Sequence, residues 1–372
     1  MSGRSDTADI LVVGLGPAGA TAAAAARRDG AKVLAIDRKR EAGQPVQCAE
    51  FVPAMVGLML DTRRSAALGA SWRQHIHSMA TFVEGDEPHI SPQFPGHMID
   101  RAAFDASLVE AAQAQGAECR LDCGLAALGP DGVARLTSGE TIRARIVIGA
   151  DGPRSKVGRA IGRVNAAIAE TRQITVPLLT PYTATDIFLS PSLPGGYAWL
   201  FPKGSEANLG LGVAPPWRQR LKPELEALHR QLVAEGRVGE EVIRHTGGAI
   251  PVGGMLAPKG RLGPTVVLLA GDAAGLANPV TGAGINAAVV SGRLAGEAAA
   301  AILNGEGGAD ADYAEELEDL YKASLTRALA RRRQLLQLYK EDSGPSPADL
   351  QRGWIAFPQY WAEPTTRESA VR

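Results

Sequence analysis

The sequence predicts an α/β protein: a parallel sheet, a second, antiparallel sheet, and a helical C-terminal tail. Three observations carry this expectation. The apolar run Ile10 to Val13, the turn Gly14 to Gly19, the alanine-rich stretch Ala20 to Arg28 and, after Gly30, the run Lys32 to Ile36 follow one another. That is a βαβ unit of about 30 residues, which closes as parallel strands with a right-handed crossover. Residues 172–213 instead alternate apolar and polar side chains, as half-buried antiparallel strands do. From Tyr313 to Lys340 the apolar spacing is helical.

The elements follow in chain order. After the βαβ unit, residues 60–97 look less regular. Arg101 to Gln115 has helical spacing, with Phe104, Leu108 and Val109 available for one face. Ala117 to Ile148 reads as short strands, with turns at Gly129-Pro130-Asp131-Gly132 and Ser138-Gly139. Ile146-Val147-Ile148 is a buried strand that ends in Gly149-Ala150-Asp151-Gly152. The alternating strands are expected at Ile174 to Leu178, Thr183 to Leu189, Tyr197 to Phe201 and Leu209 to Val213. The turn Pro202 to Ser205 joins the last two. Residues 223–237 read as a helix, Val266 to Ala270 as a strand, and Gly284 to Leu303 as a small-residue helix. Gly305 to Gly308 is a linker before the tail.

Composition bounds the function. The 372 residues suggest two to three domains, long enough for a core without disulfide or metal staples. Lys and Arg number 39 against 40 Asp and Glu, so binding nucleic acid through overall charge is excluded. A local basic patch remains open. The 43 glycines cluster beside apolar runs, where backbone can approach a ligand closely. Three cysteines with no framework spacing point to a reducing compartment. Cys119 and Cys123 are expected on one side of a single β segment, as small core or surface residues. His75 and His77 lie two apart with no further ligand near in sequence, and no metal is expected. Met1 to Asp9 shows no signal peptide, and no stretch reaches 18 uninterrupted apolar residues. The expectation is a cytoplasmic protein, with membrane-surface contact left open.

Gly14-x-Gly16-x-x-Gly19 follows a strand and opens a helix, and Asp37 comes 23 residues after its first glycine. That context makes it a dinucleotide fingerprint. Gly14 permits the tight turn, and Gly16 lets the backbone near the pyrophosphate. Gly19 lets helix and strand pack closely. The helix N-terminus, which opens at Pro17, offers free N–H groups from Ala18 onward. Asp37 would accept hydrogen bonds from the adenosine ribose, and its neighbour Arg38 is counted with it.

Later motifs carry a resemblance. Ala150-Asp151-Gly152-Pro153-Arg154-Ser155 and Ala270-Gly271-Asp272-Ala273-Ala274-Gly275, with Asn278-Pro279 and Thr281 to Asn286, resemble flavoproteins that share a fold with aromatic hydroxylases and geranylgeranyl reductases. The resemblance implies FAD, in a Rossmann-like domain. It implies that Asp151 touches the cofactor, that Asp272 binds the ribityl chain, and that Arg101 after Met98-Ile99-Asp100 contacts the cofactor. Gly271, Pro279, Gly282, Gly284, Ile285 and Asn286 complete the block. A helix N-terminus there would stabilise a reduced, anionic flavin. The implied domains are discontinuous: FAD-binding over 1–60, 98–165 and 262–305, substrate-binding over 61–97 and 166–261, and a tail over 306–372.

Tyr197, Trp199 and Phe201 share one face of a strand, as an aromatic wall for an apolar or planar substrate or as sheet core. The stretch Tyr197 to Pro202 is similar to the Tyr-x-Trp-x-Phe-Pro motif of the geranylgeranyl reductase family. Pro45 to Glu50, with Gln47 and Cys48, resembles that family's cysteine-centred segment beside the flavin, although Ala49 replaces its glycine. Gly248 to Gly254, with Pro251, resembles its cavity-lining segment.

The resemblance implies hydride addition to carbon–carbon double bonds of an isoprenoid chain. The flavin supplies the chemistry, and the protein supplies position and exclusion of water. Tyr197, Cys48 and a bound water are the candidate proton donors, and Trp199 joins the candidate catalytic set. With one complete dinucleotide fingerprint, electrons would come from NADPH at a second, unrecognised site or from a separate donor such as reduced ferredoxin. The alternatives are a monooxygenase or halogenase-like enzyme acting on an aromatic group of a small molecule or protein, since Tyr197 to Pro202 also resembles the halogenase motif, and a flavin-bearing electron carrier. In the tail, Arg331-Arg332-Arg333 and the cluster Trp354, Phe357, Tyr360 and Trp361 suit either a bilayer or partner surface or packing back onto the domain.

Overall fold

The computed structural model describes residues 5–27, 31–54, 69–85 and 87–362. Ile10 to Val13 and Val33 to Ile36 are buried throughout, because helices and other elements cover both faces of a parallel sheet. They sit in an eight-stranded sheet. Ser5–Val13 runs parallel to Thr141–Gly149 on one side and to Val33–Ile36 on the other. Thr265–Leu269 continues the parallel order beyond Thr141–Gly149, and Lys259–Leu262 closes that edge antiparallel. The helices Pro17–Ala26 and Ile285–Leu303 pack backbone against backbone. A Cβ on Gly292 would stand 2.1 Å from the Ala18 carbonyl oxygen, and one on Gly296 would stand 2.4 Å from that of Ala22.

The second sheet has seven strands. Ile168–Pro177, Glu206–Val213, Ala198–Lys203 and Ala184–Leu189 pair antiparallel. The last of these then pairs parallel with Ser78–Val83, so the sheet is mixed rather than antiparallel. Period-two alternation reports burial on one face and is blind to strand direction, so this pairing left no trace in the sequence. Residues 60–97 are more regular than expected where described, with strands at Trp72–Ile76, Ser78–Val83, His89–Ser91 and Gly96–Ile99. Residues 60–68 lie outside the described residues.

Two further expectations are corrected. Cys119 lies in the strand Glu118–Arg120, but the chain turns at Asp122 with φ 53°, so Cys123 is not on that strand. His75 and His77 do have a neighbour, because the His97 ring comes within 4.7 Å of the His75 ring from a paired strand. Among the described residues no group of three His, Cys, Asp or Glu is placed to hold a metal.

The tail folds back. The helix Ala309–Leu338 is pinned by Tyr313, whose hydroxyl donates to Leu269 O at 2.6 Å. Trp354, Phe357 and Tyr360 are buried, while Trp361 is 55% exposed. Arg331 and Arg332 are buried too, so the arginine triplet does not form an outward basic face. Among the described residues no helix is long and apolar enough to cross a membrane.

Candidate active site

Between the two sheets lies a cavity of about 580 Å³. One half begins at the glycine turn. Gly14 has φ 99°, and a Cβ there would stand 2.3 Å from Ala150 O. A Cβ on Gly19 would stand 1.7 Å from Gly14 O. Gly16 differs: nothing lies within 4 Å of its Cβ position, and it lines the cavity with Pro17 and Ala18. The helix Pro17–Ala26 has no side-chain cap at Gly16, so its first N–H groups face open space. The helix Ile285–Leu303 is also uncapped, at Gly284, and residues 281–288 line the same cavity. Two uncapped N-termini converging on one space make it attractive to anions.

Asp272 lines this half. Its carboxylate accepts no hydrogen bond among the described residues. Burial pushes its pKa up to about 6, against the pull of Arg101. Arg101 lines the cavity as well and is ion-paired to Asp105 at 2.7 Å. Cys48 lines the cavity with it.

Several predicted cofactor residues also hold neighbouring backbone groups. Asp37 accepts from Leu15 N at 2.7 Å and Lys39 N at 2.8 Å, which fixes the glycine turn, and Arg38 is exposed. The Asp151 carboxylate caps Lys156 N at 2.6 Å, and its neighbours Ala150 and Gly152 do the lining. Gly271 donates its N–H to Ser291 Oγ at 2.9 Å. Pro279 and Pro251 do not line the cavity, whereas Ile250, beside Pro251, does.

The other half is apolar and aromatic. Tyr197, Trp199 and Phe201 line it together with Phe51, Met79 and Ile187. Trp199 is oriented by Gln173, whose Oε1 accepts the indole N–H at 2.9 Å. The same amide donates to Cys48 O at 3.1 Å, so the wall and the cysteine segment are set by one side chain. Tyr197 donates its hydroxyl proton to Thr281 O at 2.5 Å. Burial, with Cys48 nearby, pushes its pKa well above the usual phenol range.

Cys48, Gln47 and Glu50 line the junction of the two halves. Cys48 Sγ accepts from Glu50 N at 3.1 Å. The left-handed backbone falls on Glu50, with φ 68°, and not on Ala49. Alanine at the position where the related family carries glycine is therefore unstrained. Glu50 is 4% exposed, and its carboxylate accepts from Lys203 Nζ at 2.6 Å, Asn208 Nδ2 at 2.9 Å and Arg101 N at 2.9 Å. That network holds the residues around the cysteine in place and is itself offset by three donors.

Sequence reasoning missed Glu50, Gln173, Trp354 and Ile355 as site residues. Trp354 and Ile355 reach the cavity from the folded-back tail, with the Trp354 ring 4.7 Å from that of Tyr197. The tail's aromatic cluster was the one available signal.

The family model described as FAD binding domain matches residues 7–327. Digeranylgeranylglycerophospholipid reductase 1 of Methanopyrus kandleri is 32% identical over 361 residues, covering 90% of this chain and 91% of that protein. The digeranylgeranylglycerophospholipid reductase of Methanosarcina acetivorans is 32% identical over 343 residues, covering 85% and 80% respectively. The crystal structure of a geranylgeranyl bacteriochlorophyll reductase-like protein from Thermoplasma acidophilum matches with a TM-score of 0.80 at 25% identity, covering 96% of this chain and 98% of its own.

Proposed function

We propose that this chain, which belongs to the geranylgeranyl reductase family of FAD-binding flavoproteins, reduces carbon–carbon double bonds in an isoprenoid chain. The observation that carries the reading is a single cavity with two unlike halves, an anion-attracting cradle opening directly into an aromatic and aliphatic chamber. The cradle fits FAD on its own terms. Gly16 leaves room that a methyl group would fill, both helix N-termini lack caps, and Asp272 has a carboxylate free to accept from ligand hydroxyls.

Bound FAD, once reduced, supplies the hydride. This chain's residues supply the rest. Trp199, Phe201, Met79 and Ile187 bind the prenyl chain and exclude water, at about 0.8 kcal/mol per buried methylene. Tyr197 serves as wall and as a brace on the loop at Thr281, since its proton is already donated to a carbonyl. Cys48 is the better source of the proton for the second carbon. It lines the junction of the halves, and the Arg101 guanidinium lines the same cavity as a cation for the charge left behind. Electrons come from a separate donor, NADPH or a reduced ferredoxin.

Dithionite-reduced holoprotein incubated with a digeranylgeranyl lipid, with mass spectrometry of the extract, tests the reading. Hydrogen added to the chains is expected. Unchanged lipid, with an aromatic acceptor hydroxylated or halogenated when the reduced protein is freed of dithionite and mixed with that acceptor, halide and oxygen, would replace the reading with an oxygenase.

A further inference from the structure

The tail helix carries a buried arginine to the back of the cofactor loop. Arg332 is 8% exposed, and its Nη1 donates to Gly195 O at 2.5 Å and Pro279 O at 3.2 Å. Both acceptors stand two residues before a cavity-lining residue. Gly195 precedes Tyr197 and Pro279 precedes Thr281, and those two are joined by the tyrosine hydroxyl. The loop around Thr281 is thus tied to the Gly195–Tyr197 turn twice, once by the wall and once by the tail. The helix sits directly on that turn. Gly195 has φ 68°, and a Cβ there would stand 2.6 Å from Leu336 Cδ2.

Arg332 forms no ion pair with a carboxylate among the described residues. Burial alone lowers its pKa to about 10, so it stays charged at neutral pH. A buried cation that has only carbonyl dipoles as partners is expensive to keep. A negative ligand across the loop would offset part of that cost.

We propose that Arg332 is a positioning residue for the cofactor, acting through the loop Asn278 to Gly284, and that its charge favours the reduced, anionic flavin over the oxidised one. The proposal rests on the FAD reading above and extends it to a residue of the tail. Arg332 touches carbonyls and not the cavity, so its influence is on the flavin's redox equilibrium and not on substrate contacts.

The test is a dye-coupled redox titration of the FAD-loaded full chain, as wild type, R332K and R332Q. R332Q keeps a donor for a carbonyl and loses the charge, while R332K keeps the charge. In R332Q the ratio of reduced to oxidised flavin at a fixed potential is expected to fall about tenfold, which is about 1.4 kcal/mol. R332K is expected to stay close to wild type. An R332Q midpoint equal to wild type, with only thermal stability lowered, overturns the proposal by showing a merely structural role. If R332Q does not fold, R332H decides at pH 8, where a buried imidazole is uncharged: a midpoint below wild type upholds the proposal and one equal to wild type overturns it. A wild-type chain that takes up no flavin instead fails the underlying reading, a result separate from any variant.

Discussion

Alanine at Gly16 and alanine at Gly19 should have opposite consequences, although both residues belong to one six-residue turn. Gly16 has φ −74° and ψ −171°, a conformation alanine adopts freely. Its Cβ would meet nothing within 4 Å. The fold therefore loses at most about 1 kcal/mol, the cost of a poorer N-cap residue. The new methyl group projects into the space where the helix N-terminus faces the cavity. If FAD lies there, G16A should weaken its binding about 100-fold or more, equivalent to about 2.8 kcal/mol. Gly19 is the reverse case. A Cβ there stands 1.7 Å from Gly14 O, so helix and turn must separate, and overpacking of this kind costs roughly 3 kcal/mol or more against a backbone obstacle. Apoprotein thermal melts and titration of flavin fluorescence quenching measure the two effects separately. The reasoning fails if G16A binds FAD as wild type does, or if G19A melts at the wild-type temperature.

Further outcomes follow from the same contacts. E50Q leaves Lys203 buried without its counter-charge, and breaking such a pair should cost roughly 3–5 kcal/mol, seen as a lower denaturant midpoint that K203M in the same chain partly restores. C48A should lose about 100-fold or more in turnover while the flavin absorption spectrum stays that of the wild type; unchanged turnover would remove the cysteine from proton delivery. Asp272 is raised in the folded apoprotein from 3.8 to about 6, so its contribution is fully present below pH 3.8 and is lost as pH rises through about 6. Apo D272N should accordingly gain on wild type across that window, by about 3 kcal/mol at pH 7, and a flat difference between the two urea melts from pH 4 to 7 would refute it. W199F strands the Gln173 carbonyl, and about 1–3 kcal/mol of stability should go with it.

The glycine turn was legible because backbone geometry admits only glycine at Gly14 and Gly19, and the spacing records that demand directly. The aromatic wall was legible for a similar reason, since a period of two puts Tyr197, Trp199 and Phe201 on one face whatever the tertiary structure. What escaped was non-local. Gln173 reaches Cys48 across 125 residues and Glu50 reaches Asn208 across 158, and no local pattern encodes such meetings. Asp37 and Asp151 read as ligand-facing acids from their motifs, yet in the structure both carboxylates hold backbone N–H groups. Trp354 was visible as part of an aromatic cluster, but only the fold shows that the cluster closes the chamber. Arg331 and Arg332 looked like a surface patch because charge in a sequence carries no mark of burial.

Anaerobic stopped-flow of the photoreduced holoprotein tests the central claim most directly. Mixed with a digeranylgeranyl lipid under argon, the reduced flavin is expected to reoxidise rapidly, in proportion to the double bonds lost. A flavin that stays reduced against the lipid, yet reoxidises in air-saturated buffer through a peroxyflavin absorbance, would contradict the account.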